Sequence, residues 1–172
     1  MPKYSVKRHA VCQPLDQSYK IIPLTRGQNA LVDTEDFERI SEFNWIALWD
    51  NTTGKFRANR TSRHIPMERE VLRASKDEEI DHINLDSLDN RKKNLRKSTR
   101  SQNNMNRRKP ANNKSGFKGV FWDTGNNRWR SVIYVNKKRY HLGFYKDLKD
   151  AAKAYDKAAK VRHGEFAHLN FP

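Results

Sequence analysis

The sequence predicts an α+β chain made of two small units: a mixture of short hairpins and helices, then a three-stranded antiparallel sheet packed on one helix. Three observations carry that expectation. Short β-rich runs alternate with turn signals throughout, as at Asn51–Gly54 and in DTGNN near residue 125. Periodicity breaks in MNRRKPANNKSG, where Pro110, paired Asn residues and Gly116 fall together. The longest helical pattern, the Ala-rich run Leu148–His163, comes near the end and closes at Gly164.

Taken in order, IIPLTRGQNALVD reads as a short strand, a Gly-containing turn and a second strand at Ala30–Val32. Asp33-Thr34 before Phe37, Ile40 and Phe43 starts a helix at Thr34 or Asp36. Trp45, Ile46 and Leu48 mark a strand, and Lys55–Asn59 is its return. Residues 78–108 read as a hairpin followed by a helix. Glu79–Ile83 is the outgoing strand, Asn84–Lys93 is turn-rich, and Asn94–Lys97 returns. Ser98 or Thr99 caps a helix reaching about Arg108. Beyond the break, Phe117–Trp122, Arg128–Val135 and Lys138–Tyr145 are three strands. Alternation in the middle strand puts Trp129, Ser131, Ile133 and Val135 on one face, against a helix stripe of Ala151, Ala154, Tyr155 and Ala158. Arg128, Arg130, Val132 and Tyr134 then form a face open to a partner. No internal repeat or low-complexity tract is present.

Composition narrows the function. The 172 residues hold 35 Lys and Arg against 20 Asp and Glu, a net charge of +15. Residues 105–172 alone carry 16 basic and 5 acidic side chains, so the second unit supplies most of the field. A polyanion is the natural partner, nucleic acid first. With 35% hydrophobic residues and a mean hydropathy of −1.04, the core must be thin. No apolar run approaches a spanning helix, and the basic positions do not alternate with a broad apolar face, so a membrane role is disfavoured. Cys12, the single cysteine, excludes an internal disulfide and cysteine-rich zinc cages, and MPKYSVKRHA has no apolar leader core. Cytoplasm is the expected compartment. No obligatory protein partner is evident.

The chemistry concentrates in IDHINLDSLDNRKKNLRKSTRSQNN, residues 80–104. Cutting a phosphodiester requires an activated water and stabilisation of charge on the phosphate and leaving oxygen. Asp81 offers a carboxylate and Asn103 or Asn104 an amide oxygen, donors suited to one Mg²⁺ or Mn²⁺ ion rather than zinc. His82 offers the base, but on a strand it points away from Asp81, so another residue must turn the ring. Read singly, Asp81-His82 is an ordinary polar pair, and Asn90, Asn94, Asn103 and Asn104 shape turns or cap helices. The combination is what points to hydrolysis.

This run resembles the HNH homing endonucleases of phages and mobile elements. The resemblance implies a ββα-metal motif over about residues 78–108, within a nuclease domain of residues 1–104. It further implies Asp81 and Asn103 as metal ligands, with Asn104 the alternative, His82 as general base and Asn94 as the brace of the loop. Upstream, the pattern IPLT-G--A-VD-EDF is similar to what precedes the motif in these proteins. One departure stands out: Glu68-Arg69 occupies the place of a His-Arg pair, and His64 is the nearby candidate to substitute. Homing, and a bacterial host cytoplasm for a phage-encoded protein, are implied by resemblance alone.

After a basic linker at 105–115, residues 116–172 are similar to the APETALA/ethylene-response-factor DNA-binding domain, on KGV, LGFY, AA-AYD-AA and LNFP. That implies double-stranded DNA as partner, with Lys118, Trp122, Arg128, Arg130, Tyr134, Arg139 and His141 as contacts. Phe121 and Tyr134 stand where the family carries arginines, so the family's recognition sequence is not carried over. The expectation is a metal-dependent DNA endonuclease with a targeting module. Its competitors are a DNA-binding protein that does not cleave and an RNA-binding protein.

Overall fold

The computed structural model describes residues 8–172, so most of MPKYSVKRHA lies outside the described residues. The chain is α+β and divides at Ser98/Thr99 into two compact units.

In the first unit, strands β1 (Tyr19–Pro23) and β2 (Asn29–Asp33) form an antiparallel hairpin with Ile22 opposite Ala30. Helix α1 (Thr34–Ser41) starts directly after it, with Asp33 extended at the N-cap and Glu35 and Asp36 in the first turn, where the helix dipole favours acids. Its buried Ile40 receives Trp45, 1% exposed, whose indole Nε1 donates to the Ile40 carbonyl at 2.7 Å. That bond lets a large aromatic be buried without stranding its polar atom. Strands β3 (Trp45–Asp50) and β4 (Lys55–Arg60) pair as the alternation requires.

Helix α2 (Met67–Leu72) has no counterpart in the sequence reading. It is only six residues long, begins after Pro66 and ends at left-handed Arg73, too short to display a period. Strands β5 (Glu79–His82) and β6 (Leu95–Ser98) pair Asp81 with Arg96 and His82 with Leu95. Asn94 ends a 3-10 turn rather than opening the return strand. Leu24, Val32, Ile40, Trp45, Ala58, Met67, Ile80 and Leu95 belong to one core.

The second unit opens with helix α3 (Arg100–Asn106), started by a capping box in which Thr99 and Gln102 satisfy each other's amides. Within the stretch expected as a basic linker, residues 105–115, the Asn113 and Ser115 side chains bond to the main chain of Phe117 and Val120. Ser115 is buried, its hydroxyl donating to the Val120 carbonyl at 2.6 Å and accepting from the Phe117 amide at 3.2 Å. Strands β7 (Val120–Asp123), β8 (Arg128–Val135) and β9 (Lys138–Tyr145) make a single antiparallel sheet in the order β7-β8-β9. β7 begins three residues later than its sequence suggests, because Gly119 turns the chain at φ 73°.

Helix α4 (Leu148–His163) packs on the sheet, capped by the Asp147 carboxylate. Its inward stripe is Ala151, Ala152, Tyr155 and Ala159, and the expected Ala154 and Ala158 are only half-buried. The helix is rotated because the C-terminal tail claims one flank. Buried Asp156 accepts from the Asn170 amide at 2.8 Å, from Asn170 Nδ2 at 3.1 Å and from the Phe171 amide at 2.9 Å.

Gly119 leaves no room for a side chain. A Cβ there would stand 2.1 Å from Tyr155 Cδ2 and 2.6 Å from the Val132 carbonyl oxygen, at a φ that L residues avoid. Gly119→Ala is expected to cost ~3 kcal/mol or more through overpacking and backbone strain together. Chemical denaturation followed by tryptophan fluorescence should show the loss, and an unchanged midpoint would contradict this packing.

Candidate active site and nucleic-acid face

The site is built on the turn that joins β5 to β6. Asp81 and His82 are adjacent on β5 and both buried, at 3% and 9% exposure. Arg96, opposite Asp81 in the ladder, grips Oδ2 of that carboxylate through Nε at 2.9 Å and Nη2 at 2.7 Å. Strand alternation sends the His82 ring the other way, and there its Nε2 meets Asn90 Oδ1 at 3.2 Å. Asn90 is fully buried, and its Nδ2 faces the Leu88 carbonyl at 3.4 Å. In that orientation Asn90 presents its Oδ1 to the ring, a partner that fixes how the imidazole is turned.

Asn94 closes the turn from below. Its Oδ1 accepts from the Asn84 amide at 2.9 Å and its Nδ2 donates to the Asp89 carbonyl at 2.7 Å, joining the two ends of the loop. Asp89 is buried and held by Arg91 Nε and Nη2, both at 2.7 Å, and by Asn84 Nδ2 at 3.0 Å. The loop is pinned to the rest of the unit through β2, β4 and Asp33. Leu31 of β2 donates to Leu88 and accepts from Asn90, each at 2.8 Å. The Ser87 hydroxyl donates to the Phe56 carbonyl at 2.7 Å, and Lys55 reaches the Leu85 carbonyl. The Asp33 carboxylate receives the Lys92 amide at 2.6 Å.

Asn90, one of the asparagines whose sequence context suggests only a turn, is a functional candidate. Need for a residue to orient His82 was legible, but not which Asn supplies it, because the choice depends on β2 holding the loop. Glu68 is a core residue, 3% exposed and paired to Arg57 at 2.8 Å, while Arg69 donates to the carbonyls of Ser75, Lys76 and Glu78. His64 is exposed, at positive φ. Asn103 and Asn104 lie on α3 in the second unit. Among the described residues no group of three or more His, Cys, Asp or Glu side chains is arranged to hold a metal.

On the second unit, Arg128, Arg130, Tyr134, Arg139 and His141 share the sheet face turned away from α4. Ladder partners Tyr134–Arg139 and Val132–His141 fix the last two there, across a bulge in the β8–β9 pairing. Phe121 and Phe144 are the cross-strand partners of Arg130, so they join this face, with the Arg130 guanidinium 5.6 and 5.8 Å from their ring centres. Two expected contacts sit differently. Trp122 is the ladder partner of Trp129 and stacks edge-on against it at 5.0 Å, on the α4 side of the sheet. Lys118 turns its ammonium inward, donating to the carbonyls of Met105 at 2.5 Å and Arg107 at 2.7 Å.

The HNH endonuclease profile matches residues 74–105, the segment holding this turn. Protein 3.8 of Escherichia phage T7 is 30% identical over 90 residues, covering 52% of this chain and 74% of the phage protein. The chain therefore belongs to the HNH endonuclease family. Over the C-terminal region it is similar to AP2/ERF proteins of plants. The dehydration-responsive element-binding protein 2A of Arabidopsis thaliana is 37% identical over 68 residues, 37% of this chain. An AP2/ERF and B3 domain-containing transcription factor of the same plant is 42% identical over 67 residues, also 37% of this chain. The chain spans only 19% of each plant protein. No solved structure matches it significantly. Among the described residues no helix is long and apolar enough to cross a membrane.

The Asp89 carboxyl is pushed up by burial, but the bonds from Arg91 and Asn84 outweigh this and hold it below the ordinary value. A carboxyl lowered in the fold contributes stability that is complete above its unfolded value, near pH 4, and is lost as pH falls through the folded one. Acidification below pH 4 is expected to release amide exchange at Asn90 and Arg91 before the core opens. Asp89→Asn should do the same at pH 7, at a cost of about 2 kcal/mol. Equal protection in the variant at pH 7 would count against the brace.

Proposed function

We propose that the chain is a metal-dependent endonuclease that hydrolyses phosphodiester bonds of double-stranded DNA, with residues 1–104 cutting, 105–115 a basic linker and 116–172 reading. Membership of the HNH family supports the reaction class, and the likeness to plant proteins named for element binding and transcription supports DNA as the partner. The observation that carries the mechanism is the buried Asn90–His82 bond.

His82, oriented by Asn90, takes a proton from water as the water oxygen bonds to phosphorus and the bond to the leaving sugar oxygen breaks. Asn94 keeps the loop from relaxing during that transfer. Asp81, paired with Arg96, presents a buried carboxylate, and Asn103 supplies an amide oxygen, with Asn104 the alternative. Carboxylate and amide oxygens are the donor types that Mg²⁺ or Mn²⁺ would take, ions that retain several waters. Such an ion supplies charge neutralisation at the phosphate and the leaving oxygen. Arg128, Arg130, Tyr134, Arg139 and His141 meet the duplex, arginines suiting guanine edges and backbone alike. Trp122 is the flanking candidate at the sheet edge.

One observation favours a second reading, DNA binding without cleavage: Glu68, where relatives of the motif carry His, is locked into the core. Incubation with long duplex DNA separates the two. Mg²⁺ is expected to give nicks or breaks that EDTA abolishes. His82→Ala should lower kcat at least ~100-fold, and Asn90→Leu ~10-fold or more with a changed pH–rate profile. Metal-independent binding with no scission by the intact chain would select the second reading.

A further inference from the structure

Helix α3 closes on one main-chain bond, from the Arg107 amide to the Asn104 carbonyl at 3.3 Å. It has no basic residue in its last turn, and its C-cap Arg107 is extended at φ −62° and ψ 145° rather than left-handed. Other carbonyls at such a helix end take donors from elsewhere, and a cation there also meets the negative end of the dipole. Lys118 is that donor, reaching the carbonyls of Met105, in the last turn, and of Arg107, the cap.

The lysine is itself held in place. Asn170 brackets its main chain, accepting from the Lys118 amide at 2.7 Å and donating to the Lys118 carbonyl at 3.2 Å. Asn170 is fixed in turn by Asp156 of α4. Next to Lys118, Gly119 packs against Tyr155 with no space to spare. An unbroken chain of contacts therefore runs from α4 through the C-terminal tail and the start of β7 to the end of α3.

We infer that Lys118 is a positioning residue: by capping α3 it fixes the helix that carries Asn103 to the sheet module, so the ligand helix is set by the fold of the DNA reader. This rests on the assignment of Asn103 as a ligand. Burial lowers the Lys118 ammonium to a pKa of about 8, as expected for a side chain withdrawn from solvent rather than displayed to phosphates.

The test uses the full chain with Lys118→Met, which keeps the aliphatic stem and removes the donors. Amide exchange over residues 103–107 is expected to rise at least tenfold. The Mg²⁺ concentration for half-maximal cleavage should rise at least fivefold, while the slope of log Kd for duplex DNA against log salt stays unchanged. Lys118→Gln, retaining a neutral donor, should give smaller losses and serves if the Met variant does not fold. A slope reduced by about one with unchanged exchange would make Lys118 a phosphate contact and overturn the inference. Faster exchange with unchanged Mg²⁺ dependence would reduce it to a cap without positioning, which also overturns it. If the unmodified chain cuts nothing, the nuclease reading fails, and exchange and salt slope still decide whether α3 is clasped.

Discussion

The hydrogen bond between buried Asn90 and His82 is the constraint on which the first unit depends. A strand cannot direct two consecutive side chains to one face, so the histidine that follows Asp81 is aimed by something outside the strand. Here that something is a loop, and loops are ordinarily the least fixed part of a fold. The unit answers with the pair of main-chain bonds between Leu31 and the loop, and with the Asn94 side chain spanning its ends. In this arrangement β2 serves less as half of an isolated hairpin than as the rail on which the Asn90 loop is mounted. An isolated two-stranded hairpin is marginal in water, and all three sheets of this unit are of that kind. Their mutual packing over Trp45 and Met67 supplies what the ladders alone do not.

The second unit solves a different problem with the same economy of residues. Its sheet buries one face on α4, and the polar groups that bind the ends of the chain are arranged in series, Asp156 to Asn170 to Lys118. Each member satisfies main-chain groups that have no partner in a regular element, which is the condition for burying an irregular segment. The small Gly119 permits this approach, since a side chain there would strike the Tyr155 ring.

Much of this was legible in the sequence. The hairpins, α1, the three-stranded sheet and both ends of α4 follow from alternation, turn residues and caps, because those signals are local. Three things were not. The six residues of α2 carry too little periodicity to announce themselves. The inward stripe of α4 shifted by one position, since the tail that covers Asp156 is a long-range partner that the helix alone does not reveal. Of the candidate side chains, Asp81, His82 and Asn94 are located by their order along the chain, whereas the role of Asn90 depends on β2. Lys118 and Trp122 have the composition of surface contacts, but the direction each points is decided by a helix end and by ladder register respectively.

The Arg130 guanidinium, lodged between Phe121 and Phe144 and 3.6 Å from Asp123, gives the open sheet face an uncommon stiffness for a basic surface. A long arginine usually surrenders most of its rotamer freedom when it grips a ligand. This one has surrendered it during folding, so a contact made later by its planar fork is entropically cheap. Rings standing where arginines might have stood also shift the face from counterion exchange towards apolar contact, such as with a thymine methyl. On the proposed reading, such a face would discriminate by shape and stacking.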